Sequence, residues 1–241
     1  MNFIEGLFYD TLFDITEVSP SLDGPLQHPL APPATELNPH VQLDQYFHQY
    51  FHFDLDTLAG DPAGDARWWN HQAADDTCAV VAQQGILESL LHHDVSQDEI
   101  VRVAEEHGWY HPGEGTLPAD MGNVLEAYGI PVERGYEYSI GDLYNALLDG
   151  HRVMVGLDAN EIWFPQVGPD GLPVDQFGTN GHAVWVTGIT TDDHGNLCVV
   201  VNDSGKPDGC HNLVPVDDFL NAWDDYENFA VITHEENAQL A

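Results

Sequence analysis

Residues 68–91 read WWNHQAADDTCAVVAQQGILESLL. Gln72 precedes Cys78 by six positions, and an apolar run follows the cysteine to Leu91. That run has the length and spacing of a buried helix beginning at Cys78. Asp76 and Thr77 stand where N-cap residues stand. The reactive form of cysteine is the thiolate, and a helix N-terminus stabilises that anion through its free amides and its dipole. Asp75 and Asp76 act in the opposite sense, because negative charge nearby opposes ionisation of a thiol. Whether Cys78 is a packed side chain or a nucleophile depends on what the rest of the chain brings to it.

The segments downstream are dense in core signals. Ser96 and Glu99 form the S-x-x-E pattern of a capping box for a helix reaching about His107, where Gly108 stops it. A third helix is expected over about 118–128, ended by Gly129, and a fourth from Ser139 to Gly150. Strands follow at 151–158, 182–189 and 197–203, then a helix at 216–224 and a last strand, NFAVITH. Helices first and strands later, joined by short turns, argue an α+β fold with helices packed on an antiparallel sheet. The connection 159–181 is long and reads as a lid or binding loop.

Residues 1–60 differ from this. They are acidic and contain SPSLDGPLQHPLAPPATELNP, a proline-rich stretch without helical or strand period. It reads as a partly flexible N-terminal extension, with 61–237 as the folded domain. His48 and His52 sit at i and i+4 in HQYFH, a spacing that suits zinc, but no third ligand accompanies them. An amphipathic helix is the simpler account.

The whole chain has 241 residues, with 41 acids against 5 Lys and Arg, for a formal charge of -36. Such a surface repels phosphate backbones and anionic lipid, so nucleic acid and membranes are poor partners. It suits a basic peptide or protein partner, or solubility at high salt. The opening MNFIEGLFYDTLFDITEV lacks the basic start of a secretory signal, and no apolar run reaches the length of a membrane span. A cytoplasmic location is expected. Three cysteines, Cys78, Cys198 and Cys210, are too few for a disulfide framework. Sequence leaves open whether Cys198 and Cys210 pair.

A nucleophilic thiolate needs a base, and the base needs a group to orient it. NGHAVWVTGI puts His182 at the start of a strand, and the next strand ends in VNDSG with Asn202 and Asp203. Neighbouring strand residues point to opposite faces, so only one of these two can meet His182. An oxyanion needs donors, for which the Gln72 side-chain amide and the Cys78 backbone N–H are candidates.

Q-x5-C at a helix start, a later G-H-A-V-x-V-T-G and a strand ending in N-D resemble the papain-like cysteine peptidases. Within them the match is to soluble relatives of the bacteriocin-processing, double-glycine leader peptidases. The resemblance covers the chain from about Asp65 to the last strand. It implies Cys78 as nucleophile, His182 as base, Asp203 as orienting acid and Gln72 as the oxyanion glutamine, with no metal or organic cofactor. Asn202 and Asp76 remain secondary candidates. The sequence departs from the family at Ala79, where glycine usually follows the cysteine, and it shows no transporter segment. Double-glycine specificity is therefore not carried over. Peptide-bond hydrolysis is the expected activity. Deamidation or transpeptidation on the same triad is the alternative enzyme, and an inactive pseudo-peptidase that binds a peptide or protein is the alternative binder. Oligomeric state is not legible.

Overall fold

The computed structural model describes residues 59–176 and 180–234. The extension up to residue 58, with the proposed helix around His48 and His52, lies outside the described residues, as does the tail after His234.

The chain enters with a two-residue strand β1 (Ala59–Gly60), a short helix α1 (Pro62–Asp65) and a 3-10 turn (Ala66–Trp68). Helix α2 (Cys78–Leu91) starts at the cysteine and ends at His92, whose left-handed backbone donates its N–H to Glu88 O. All residues from Ala79 to Ser89 are buried. A helix apolar on every side belongs inside the molecule rather than on its surface. Its few polar side chains each make at least one hydrogen bond, although Gln84 Oε1 is buried without a partner. Gln83 Oε1 accepts the backbone N–H of Gly122 and Val124 at 3.0 and 3.1 Å. Glu88 accepts from Asn70, Gln84 and Val95 N–H.

Helix α3 (Gln97–Glu106) has Ser96 as N-cap, but the Ser96 side chain makes no capping bond. The capping box forms instead at α5 (Ile140–Leu148), between Ser139 and Asp142. The expected helix 118–128 is broken. A 3-10 turn (Pro118–Asp120) precedes α4 (Asn123–Ala127), with Gly122 between them at φ 95°. Gln83 supplies the amide acceptor that caps this interrupted helix from the core side.

The remaining elements are β2 (Val132–Gly135), β3 (Val153–Asp158), α6 (Ala159–Trp163), β4 (Gly181–Thr191), β5 (Leu197–Asn202), β6 (Asn212–Pro215), α7 (Val216–Asp224) and β7 (Ala230–Thr233). The strands form one sheet of order β2-β7-β3-β4-β5-β6, and β1 pairs with β4. Every pairing is antiparallel. This is the α+β architecture expected from the sequence. Helix α2 packs on β4, and its Val80, Ala82, Ile86 and Leu87 share a core with Met154, Trp185 and Val231. Helix α7 packs on β3, β5 and β6 with Phe219 and Trp223 fully buried. Every residue of β3 and β5 is buried, so side chains are covered on both faces of these strands. Among the described residues no helix is long and apolar enough to cross a membrane.

Candidate functional site

Three elements meet at one end of the sheet. β4 begins at Gly181, so His182 is its second residue, paired with Leu157 of β3. Asp203 follows directly on β5, which ends at Asn202. Helix α2 lays its N-terminus and Cys78 over this end. The imidazole Nε2 of His182 lies 2.7 Å from Asp203 Oδ1. That leaves Nδ1 as the nitrogen for the thiol, and Cys78 and His182 do share a side-chain hydrogen bond.

The electrostatics follow from this contact. Burial pushes the Cys78 thiol up, but the hydrogen bond and charge of His182 outweigh it, helped by the amides of Ala183 and Ala79. The thiol therefore sits below its ordinary value. Burial disfavours the His182 imidazolium, yet the hydrogen bonds to Asp203 and Cys78 raise it above its ordinary range. Burial likewise works against the Asp203 carboxylate, and His182, Trp163 and Gly205 N–H together hold it below its usual value. A buried carboxylate keeps its charge only when its oxygens are filled in this way.

Asp203 is indeed filled. Its side chain is 0% exposed. Oδ1 also accepts the Gly205 N–H at 2.8 Å, and Oδ2 accepts the indole N–H of Trp163 at 2.7 Å. Trp69 donates its indole N–H to the backbone carbonyl of Asp203 at 2.7 Å. The Trp163 ring stands edge-on to His182, with centroids 5.2 Å apart. Gly205 fits because it has no side chain: a Cβ there would lie 2.9 Å from both His182 Cε1 and Trp163 Cζ2. No sequence pattern marks the two indoles, because their bonds to Asp203 span 134 and 40 residues.

Asn202 turns the other way. Its Nδ2 donates to Asp65 O at 2.9 Å, and its Oδ1 accepts the His211 N–H at 3.1 Å. Gln72 is 8% exposed and held by three bonds. Its backbone N–H reaches Ser204 O at 3.0 Å, its Oε1 accepts from Ser204 Oγ at 3.0 Å, and one Nε2 hydrogen goes to Ala74 O at 2.9 Å. An amide nitrogen carries two hydrogens, so one donor remains.

Asp76 does not cap α2. The N-cap position belongs to Thr77, whose hydroxyl donates to Ala74 O at 2.8 Å rather than to the helix amides. The Asp76 carboxylate is turned to Tyr110 Oη at 2.9 Å and to Gly113 N–H. Gly113 N–H, more than Tyr110, holds it below the usual carboxylate range. The α2 amides are thereby left for the thiolate. Cys198 and Cys210 are both free and do not pair. Burial pushes the Cys198 thiol up to about 11 and raises Cys210 as well.

The fold has counterparts among known proteins. The family model described as the Peptidase_C39 like family matches residues 66–231. Proteins of Mycobacterium tuberculosis H37Rv and Mycobacterium bovis, both described as uncharacterized, are 29% identical over 207 residues, covering 73% of this chain and 84% of each relative. A crystal structure of a C39-like peptidase from Bacillus anthracis superposes with a TM-score of 0.50 at 17% identity, over 69% of this chain and 93% of the other. At that identity the likeness speaks for the fold alone.

Proposed function

Because the chain belongs to the Peptidase_C39 like family and has its papain-like α+β fold, we propose that it hydrolyses peptide bonds with Cys78, His182 and Asp203. The observation that carries the proposal is the unbroken line from the α2 N-terminus through Cys78 and His182 to a fully buried Asp203.

The steps follow from the geometry. Cys78 Sγ, as thiolate, attacks the substrate carbonyl carbon. The carbonyl oxygen becomes an oxyanion and is met by the Cys78 backbone N–H and the remaining Gln72 Nε2 hydrogen. Ser204 fixes which end of the Gln72 amide faces the site. The tetrahedral intermediate collapses as imidazolium His182 gives its proton to the leaving amine, which leaves an acyl-thioester on Cys78. Neutral His182 then takes a proton from water, hydroxide attacks the thioester, and the carboxylic product departs from the regenerated thiolate. Asp203 holds the ring throughout and balances the imidazolium. The chemistry asks for no cofactor. The formal charge of -36 favours basic peptides or proteins as substrates.

The test is turnover of a fluorogenic peptide library by the wild type and by Cys78→Ala. Loss of roughly 10⁴-fold or more is expected on removing the nucleophile. Thiol labelling of Cys78 without any cleaved product would leave a binder, and deamidated or cross-linked products by mass spectrometry would assign the alternative acyl transfer.

A further inference from the structure

We propose that Glu161, Asp175 and Asp225 form a site for a divalent cation, which their donor chemistry marks as calcium. Each offers a carboxylate oxygen, and these oxygens lie within 4.8 Å of one another. Oxygens around calcium sit at ~2.3–2.6 Å, so ligands on opposite sides of one ion are up to about 5 Å apart. The span fits a shared ion without rearrangement.

A cluster of exposed acids on so acidic a protein needs no ion, because water solvates it. This cluster is different at its base. Glu161 is 2% exposed, and Asp158 beside it is 0% exposed. Glu161 Oε1 accepts the Gln176 N–H, whereas Oε2 is buried and accepts no hydrogen bond. Asp158 repeats the pattern: Oδ1 accepts the Asn160 N–H, and Oδ2 is buried without a donor. The buried Glu161 oxygen without a donor, with a second such oxygen on Asp158 three residues away in the chain, is costly unless a cation meets it.

Charge crowding agrees. Burial first, then Asp225, Asp175 and Asp158, disfavours the ionised form of Glu161, while the Gln176 N–H partly offsets it. Asp225 is pushed up by burial and by Asp175, Asp158 and Asp224. No lysine or arginine figures among the groups acting on either carboxylate. Three carboxylates offering only oxygen donors suit a hard cation. Calcium tolerates irregular sets drawn from separate loops, whereas magnesium demands a near-octahedral one.

The consequence reaches the site. The three ligands come from α6, from the segment after it, and from the residue that follows α7. Trp163 ends α6, two residues after Glu161, and its indole holds Asp203. A bound ion ties α6 to the rest of the domain and so fixes a positioning residue of the triad.

Calorimetric titration with calcium and thermal melting of the full chain test this. Wild type should bind calcium saturably, with a Tm rise of about 5–10 °C when calcium is 100-fold above Kd. Glu161→Gln removes one crowded charge. It should melt at or above wild type in chelator, yet gain little from calcium. Asp225→Asn, at an exposed position, should fold normally and lose the response too. Asp193→Asn, an exposed acid away from the cluster, should keep it. The proposal is overturned if magnesium or sodium at matched ionic strength gives the same rise, or if Glu161→Gln and Asp225→Asn both retain the calcium response. Heat from an arginine-containing peptide that Asp225→Asn abolishes, with none from calcium, would also overturn it and assign the pocket to a basic side chain.

Discussion

Trp163 donates its indole N–H to Asp203 Oδ2 at 2.7 Å, on the oxygen that His182 leaves unused. A phenyl ring keeps the edge-on cover of His182 but has no N–H to give. Trp163→Phe therefore leaves a buried acceptor short of a donor, which costs about 1–3 kcal/mol. Turnover should fall roughly 5–100-fold in kcat with KM little changed. A change in KM alone would move Trp163 from the triad to substrate binding.

Asp203 and Asn202 are neighbours with opposite tasks. Asp203→Ala should reduce kcat by ~10³-fold or more while the protein still binds peptide. Asn202→Ala breaks the bonds to Asp65 O and His211 N–H, and should lower Tm by several degrees while leaving kcat within a few-fold. If the Asn202 change is the more damaging to kcat, the orienting role has been given to the wrong residue.

Cys78 should be the most reactive of the three thiols. Its ionisation is favoured by His182 against burial, whereas burial raises both Cys198 and Cys210. Limiting iodoacetamide at about pH 6, well below the ~8.5 of a free thiol, should label Cys78 first. His182→Ala should slow that labelling. Equal labelling of Cys78 and Cys210, insensitive to His182, would contradict the ion pair.

The pH–rate profile should be a bell broader than free cysteine and histidine give. The Cys78 thiol is lowered, so the thiolate appears on the acid side of ~8.5 as pH rises. The His182 imidazolium is raised, so it persists above ~6.5 and is lost only as pH passes its own higher value. Burial opposes the imidazolium, and Asp203 and Cys78 together more than offset it, so Asp203→Asn should draw the alkaline limb to lower pH. An unmoved alkaline limb would show that another group sets it.

The parts of this fold that were legible are those with strong local patterns. Cys78–Leu91 and Val216–Asp224 have the bounds expected from their apolar runs and stops. The helix expected at 118–128 failed because Gly122 takes a backbone that helices do not, and its cap comes from Gln83, distant in sequence. Val132–Gly135 and Asn212–Pro215 are short and largely half-exposed, so no alternation marked them as strands. At the candidate site, Gln72, Cys78, His182 and Asp203 are singled out by their order and spacing, and the structure brings Cys78, His182 and Asp203 together. Asp76 pointed the wrong way because its partners, Tyr110 and Gly113, lie in another segment. The indoles of Trp69 and Trp163 were missed for the same reason: their bonds to Asp203 are long-range and leave no periodicity.

The boundary of the folded domain can be sharpened by truncation. Ala59 and Gly60 pair with Ile189 and Gly188 of β4, and Ala59 is 3% exposed. A chain starting near residue 58 should melt within a few degrees of full length, since the proline-rich stretch before it is poorly suited to burial. A chain starting at Asp61 should melt lower. Equal melting of the two would show that β1 adds nothing to the sheet.

The contacts that complete the site join residues far apart in order of synthesis. Ser204 to Gln72 spans 132 residues and Trp69 to Asp203 spans 134. As the chain leaves the ribosome, Cys78 emerges more than a hundred residues ahead of its imidazole and its carboxylate. The nascent thiol therefore has neither partner, and its ionisation is favoured only once His182 and Asp203 have joined it. On the proposed activity, a chain shorter than about residue 203 carries the cysteine without the complete pair of side chains that would arm it.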